Sequence, residues 1–476
     1  MWALAACSGE DRDHDGWTLA AGDCDDRDPD RYPGAADVPN DHLDSDCDGV
    51  DSGSTARLTT ADAVVRGPTE YTEFGHPLAV GDVDGDGVDE LWVGSQAFHP
   101  QGFGKEGVAT LFDGADLTNV RTWEGDATWQ VLGQGVAVLQ STEPKLVATQ
   151  LQKVWVLDPK GPGGHPEEID AVEIANDPEG YLTGVFMAAA PFFGGAPDDL
   201  AIQCATGQDA NGQIGSVCLF AAPFDADRSF AAPDLVVGAE RYFGASLARG
   251  DLDGDGAADL LVGSQPDDEA GVLYRFAGPL PRGRLGVEAA DHSWWGEAAG
   301  DWLGERTIAA DIDGDGLDEA LTSAMAWPGG AHLTAGSERR GRVYAFAVDT
   351  PDAARSPFVL DGDPGFQHLG AAMASGDFDG DGQMDLAVGS PSLPSLDPTV
   401  PGRVLVFYGP LLGHHPASEA NLSYAGEVPG DGAGSALASG DLTGDGAADL
   451  VVTAPYNDQA GQDAGKVYLL AGPLLP

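Results

Sequence analysis

Five stretches of the chain set carboxylates at one fixed spacing. Positions 1, 3, 5 and 9 of the frame are Asp82, Asp84, Asp86 and Glu90; Asp251, Asp253, Asp255 and Asp259; and Asp311, Asp313, Asp315 and Glu319. The other two sets are Asp377, Asp379, Asp381 and Asp385, and Asp441, Thr443, Asp445 and Asp449. Carboxylates packed this closely repel unless a cation lies among them. Calcium takes roughly six to eight oxygens in flexible geometry, so the position-7 carbonyl of Val88, Ala257, Leu317, Gln383 or Ala447 adds a further ligand. The spacing therefore predicts about five calcium ions, with a weaker or wetter site where Thr443 replaces an aspartate. Position 12 is Val93, Val262, Thr322, Val388 or Val452, where an EF-hand requires a bidentate glutamate and flanking helices. The last carboxylate instead opens a strand.

The elements that position these loops are repeats. Each loop follows a glycine by seven residues (Gly75, Gly244, Gly304, Gly370, Gly434) and leads into a short apolar run such as LLVGS, LAVGS or LVVTA. Two degenerate copies, led by Gly133 and Gly184, lack the acidic loop; the second keeps only Asp199 at position 9. Successive glycines lie 51 to 66 residues apart, which gives seven units of strand, loop, strand, strand and one further strand. Such a unit is a propeller blade. The seventh ends one strand short at Pro476, and ARLTTADAVVRG (56–67) precedes the first unit without a blade of its own. The expectation is an all-β, seven-bladed β-propeller over 59–476, closed by an N-terminal strand, because closure removes exposed sheet edges.

With 78 acidic against 23 basic side chains, the net charge is −55, which excludes a nucleic-acid partner and an anionic lipid surface. No apolar run is long enough to span a bilayer as a helix. The five cysteines sort as Cys7, then Cys24 with Cys47, then Cys204 with Cys218, a pattern of one anchor and two local disulfides suited to an oxidising compartment. LAAC, ending at Cys7, resembles a bacterial lipobox, in which the cysteine is lipidated. The basic start and longer apolar run of a full signal are missing, so the true start is expected upstream. Residues 1–7 read as a truncated signal, 8–51 as a small Asp-rich module and 52–58 as a linker. Membrane contact is expected only through the lipid anchor.

The repeats resemble the FG-GAP repeats of the integrin α-subunit propeller, with the F/L-G opening and the D-x-D-x-D-G-x-x-D loop. The resemblance implies cations on one face and a protein or glycan ligand on the opposite face, where His99, Trp327, His332 and Tyr456 are candidate contacts. Residues 8–51 resemble the bacterial Asp-rich metal-binding motif. That likeness implies metal ligands among Asp11, Asp13, Asp15, Asp44, Asp46 and Asp48, with a Cys24–Cys47 staple. Calcium is favoured there, with copper through His14 and His42 as the alternative.

The function expected is a non-enzymatic, calcium-binding, lipid-anchored or secreted surface protein for adhesion or ligand recognition. The alternative is a carbohydrate-binding or polysaccharide-degrading propeller, with Trp294, Trp295 and Trp302 as possible stacking platforms against a plain core role. Arg249-Gly250-Asp251 spells a tripeptide integrins recognise, but Asp251 already belongs to a loop, so it reads as coincidence. His414-His415 reads as an exposed turn.

Overall fold

Each repeat folds into one antiparallel sheet, and seven such sheets are present in the computed structural model. It describes residues 55–475 and Pro29, apart from 69, 96–106, 115–116, 126–131, 151–152, 170, 176–185, 210–211, 266–269, 328–339, 363–367 and 393–400. The N-terminal Asp-rich module, including Cys7, Cys24, Cys47, Asp11, Asp13, Asp15, Asp44, Asp46 and Asp48, lies outside the described residues, as do His99 and His332.

Blade one consists of Phe74–Gly81, Glu90–Ser95, Val108–Phe112 and Asn119–Glu124, paired in that order. The first strands of all seven blades touch their neighbours in a closed ring, from blade one through blade seven and back. The second strands explain the apolar runs. In Asp259–Ser264, Leu260 and Val262 pack toward blade three while Leu261 packs toward blade five, because successive side chains leave opposite faces of a strand. The buried apolar residues accordingly form seven clusters, each at one interface between adjacent blades.

Closure is as expected from the unpaired N-terminal segment: Ala63–Arg66 completes blade seven, with Val64 opposite Tyr468. One feature corrects the domain boundary. The stretch read as a linker contributes Thr55–Arg57, which runs parallel to the outer strand of blade six, and Leu58, which is fully buried. Among the described residues, the propeller thus takes in 55–58 of that stretch.

That latch is a repeated device. Gly283–Leu285 lies parallel to the outer strand of blade three, then a 3-10 turn at Val287–Ala289 leads into the outer strand of blade four, His292–Trp295. Gly413–Pro416 does the same on blade five before Ala417–Glu419 and Leu422–Ala425. His414 and His415 therefore sit in a strand rather than a turn. His414 Nε2 lies 2.6 Å from Asp361 and His415 Nδ1 lies 2.8 Å from Glu419.

Cys204 and Cys218 form a disulfide across the second and third strands of blade three.

Candidate functional site

The acidic loops join the first and second strands of blades one, four, five, six and seven, all at the same end of the ring. Position 2 of each loop is apolar and buried: Val83, Leu252, Ile312, Phe378 and Leu442 are at most 1% exposed. Each anchors its loop in an inter-blade cluster. This residue is missed by a reading that looks only for carboxylates, although an apolar side chain at position 2 of every loop was a visible signal.

Above that anchor the loop wraps around its own aspartates. In blade five Asp311 accepts amide hydrogen bonds from Gly314 (2.8 Å), Asp315 (3.1 Å) and Gly316 (2.9 Å). Asp315 accepts one from the position-7 amide of Leu317 at 2.9 Å, as Asp86, Asp255, Asp381 and Asp445 do from Val88, Ala257, Gln383 and Ala447. The position-6 glycines take φ between +81° and +92° with open space where a Cβ would stand, so backbone conformation alone demands glycine. This curl brings one oxygen from each of Asp82, Asp84 and Asp86 within 4.8 Å of one another, and likewise Asp251, Asp253 and Asp255, then Asp311, Asp313 and Asp315. In blade six the converging set is Asp377, Asp379 and Asp385. These hard oxygen clusters fit a divalent cation. Blade seven, with Thr443, gives no such set among the described residues.

Position 9 has a second duty that spacing did not reveal. Glu90, Asp259, Glu319, Asp385 and Asp449 are buried, and each accepts a backbone amide of its own loop: Val83, Leu252, Ile312, Phe378 and Thr443 respectively. The aspartates also accept an amide after the third strand, from Gly278, Gly409 and Gly472. Asp199 keeps both bonds, to Phe193 and Ala222, in blade three, whose loop has lost its other carboxylates. Burial, reinforced by neighbouring loop aspartates, pushes Glu90 and Glu319 up to about 7 and Asp385 up to about 6 in the metal-free chain.

At the other end of the first strands lies a cavity of about 280 Å³ whose lining includes Glu73, His76, Trp302, Arg306, His368 and Tyr456. It gathers blades one, five, six and seven around the axis. Three of these residues immediately precede the opening strand motif of their blades in left-handed backbone conformation: Glu73 (φ 44°), Trp302 (φ 62°) and His368 (φ 56°). Burial raises the Glu73 carboxyl to about 7, helped by Asp463, and lowers His76 to about 4, helped by Arg306. Of the loop candidates, Tyr456 lines this cavity, whereas Trp327 lies beneath the Arg342 guanidinium, 3.6 Å from its ring centre. The three tryptophans part company. Trp294 is core, stacked on Phe346 with its Nε1 donating to Thr350; Trp295 is 46% exposed; Trp302 lines the cavity. Asp251 of the RGD tripeptide spends its oxygens on Asp255 and Gly256 amides.

The closed ring of seven four-stranded blades, with the acidic loop repeated at one end, defines an all-β propeller. The FG-GAP repeat family model matches residues 243–274, 369–407 and 433–470, which are blades four, six and seven. The Cu-binding MopE family model, a metal-binding motif, matches residues 23–52.

Among known proteins, the chain is 35% identical over 175 residues to the phosphatidylinositol-glycan-specific phospholipase D of Rattus norvegicus, covering 35% of this chain and 20% of that protein. It is 29% identical over 240 residues to integrin alpha-PS2 of Drosophila melanogaster, 46% of this chain and 16% of that one. With integrin alpha-M of Mus musculus the identity is 33% over 160 residues, 31% and 13% of the two chains. The chain thus spans a fifth or less of these relatives. A solved structure described as the Dos1 propeller aligns at a TM-score of 0.44 and 11% identity, covering 81% of this chain and 77% of that one. No helix among the described residues is long and apolar enough to cross a membrane.

Proposed function

We propose that this chain is a non-enzymatic recognition module outside the cytoplasm. Its acidic loops hold structural calcium, and its protein or glycan ligand docks on the opposite face, at the cavity between Trp302 and Tyr456. The observation that carries the reading is the cavity itself, which sets Trp302, His368 and Tyr456 beside Glu73 and Arg306 on the face away from the acidic loops. The left-handed φ of Glu73, Trp302 and His368 is shared by Tyr242, which holds the same place in blade four outside the cavity lining, so it belongs to the turn of the repeat. Oxygen-only donor sets support calcium over softer metals. The Cys204–Cys218 disulfide and the integrin-like repeats support an oxidising, extracytoplasmic setting, with Cys7 as the lipid anchor.

A second reading is favoured by Glu73, whose raised pKa suits a general acid, and is glycan cleavage in the same cavity. The test is a glycan array and a panel of immobilised matrix proteins probed with the full chain in calcium. Trp302→Gly keeps the backbone, since glycine adopts this φ freely, and removes only the side chain. Binding should fall at least tenfold in Trp302→Gly and in Tyr456→Ala, with the melting temperature nearly unchanged. A ligand held at full strength by both variants docks elsewhere. Turnover of a bound glycan that Glu73→Gln abolishes would establish the enzymatic reading instead.

A further inference from the structure

The blade-four loop does not fit the calcium reading as the others do, because a cation is already built into it. Arg275, on the third strand Val272–Phe276, has a side chain only 3% exposed. Its Nε donates to Asp259 Oδ2 at 2.8 Å, its Nη2 pairs with Asp253 and its Nη1 with Asp291. Two of those partners are positions 9 and 3 of the loop. Asp259 also accepts the amides of Leu252 and Gly278, so Arg275 takes the second acceptor site of its Oδ2.

Register shows that this is particular to blade four. Arg275 stands opposite Leu261, and the corresponding partners are Leu111 opposite Trp92, Ala345 opposite Leu321, Val406 opposite Ala387 and Leu469 opposite Val451. Every other loop-bearing blade places an apolar side chain there. Asp251, Asp253 and Asp255 still converge, so the curl of the loop survives with a guanidinium supplying part of the positive charge.

We propose that Arg275 is the resident cation of the blade-four loop. This loop holds its shape without metal and binds calcium on the order of tenfold or more weakly than the loops of blades one, five and six. A fixed positive charge on two of the ligand carboxylates repels an arriving dication and occupies one oxygen of each, Asp253 Oδ2 and Asp259 Oδ2. The inference rests on the calcium reading of those other loops. Its consequence is a ring with one metal-independent sector, so that falling calcium loosens the blades unequally.

The test uses the full chain. Hydrogen exchange is followed by mass spectrometry in excess calcium and after chelation. Peptides covering 251–259 should keep their protection, while those covering 82–90, 311–319 and 377–385 lose it. In parallel, calcium is counted by equilibrium dialysis for the wild type and for Arg275→Leu, the residue blades one and seven carry. The variant should gain one tightly bound calcium per chain and a loop 251–259 that now opens on chelation. Equal loss of protection in all loops, with no added calcium in Arg275→Leu, overturns the inference and leaves the calcium reading standing. Unchanged exchange in every loop, with no calcium bound, overturns both. The wild-type exchange comparison decides the matter even if Arg275→Leu folds poorly.

Discussion

Asp89 of blade one and Asp441 of blade seven hold each other across the closure of the ring. The Asp89 amide donates to the Asp441 carbonyl at 2.9 Å, and the Asp441 amide donates to Asp89 Oδ2 at 3.0 Å. Asp318 and Asp251 repeat the pair between blades five and four. In both, position 8 of one loop meets position 1 of its neighbour, so a cation held at position 1 also braces the next blade. Asp89→Ala leaves the Asp441 amide without its acceptor and should cost about 1–3 kcal/mol. Asp89→Asn retains an acceptor and should melt close to the wild type. Thermal unfolding of both variants in calcium checks this; equal destabilisation by Ala and Asn would point to lost charge rather than the lost bond.

The N-terminal latch and closing strand should be indispensable to the ring. Removing residues 1–66 deletes Thr55–Arg57, Leu58 and Ala63–Arg66, leaving the third strand of blade seven as an open edge. Open edges pair with other chains. The truncated protein should elute as oligomers or aggregate on size-exclusion chromatography and melt earlier, where the full chain elutes as a single discrete species.

The pH dependence follows from Glu90, Glu319 and Asp385. Their folded values in the metal-free chain, about 7, 7 and 6, lie above the ordinary 4.5 and 3.8, so the folded state holds these protons more tightly than the unfolded state. Metal-free stability from these groups is therefore greatest at low pH and is lost as pH rises, from about 3.8 through 6 for Asp385 and from about 4.5 through 7 for Glu90 and Glu319. Calcium needs the ionised forms, so its affinity should weaken as pH falls from 7 toward 6. Glu319→Gln removes one buried charge while keeping an acceptor for Ile312. It should raise the melting temperature of the chelated protein at pH 8 and lower that of the calcium-loaded protein. A shift of the same sign in both would contradict the assignment.

The fold was legible because each blade repeats a glycine, a loop and a doubly buried strand at nearly constant length, and because 56–67 had no partner until the ring closed. The acidic loops were legible for the same reason. The latches were not, since strands such as Thr55–Arg57 and Arg228–Ser229 are too short to show a period and pair in parallel with the outer strand of another blade. The staple role of position 9 stayed hidden because hydrogen bonding to backbone leaves no spacing signal; only Asp199, retained in a blade without its other loop carboxylates, hinted at it. Arg275 sits sixteen residues beyond Asp259, in a strand whose neighbours are apolar. Its meaning appears only when the strands are in register. The cavity could not be read at all, because it is assembled from blades one, five, six and seven, which are far apart along the chain.

The most direct test of the central claim is differential scanning calorimetry of the full chain in excess calcium and in chelator. Each structural site occupied at a hundred times its dissociation constant adds about 2.7 kcal/mol to the folded state. With the loops of blades one, five and six loaded, chelation should lower the melting temperature by roughly ten degrees or more. Superimposable melts would contradict the account, leaving the acidic loops as solvated turns and the propeller stable on its inter-blade cores alone.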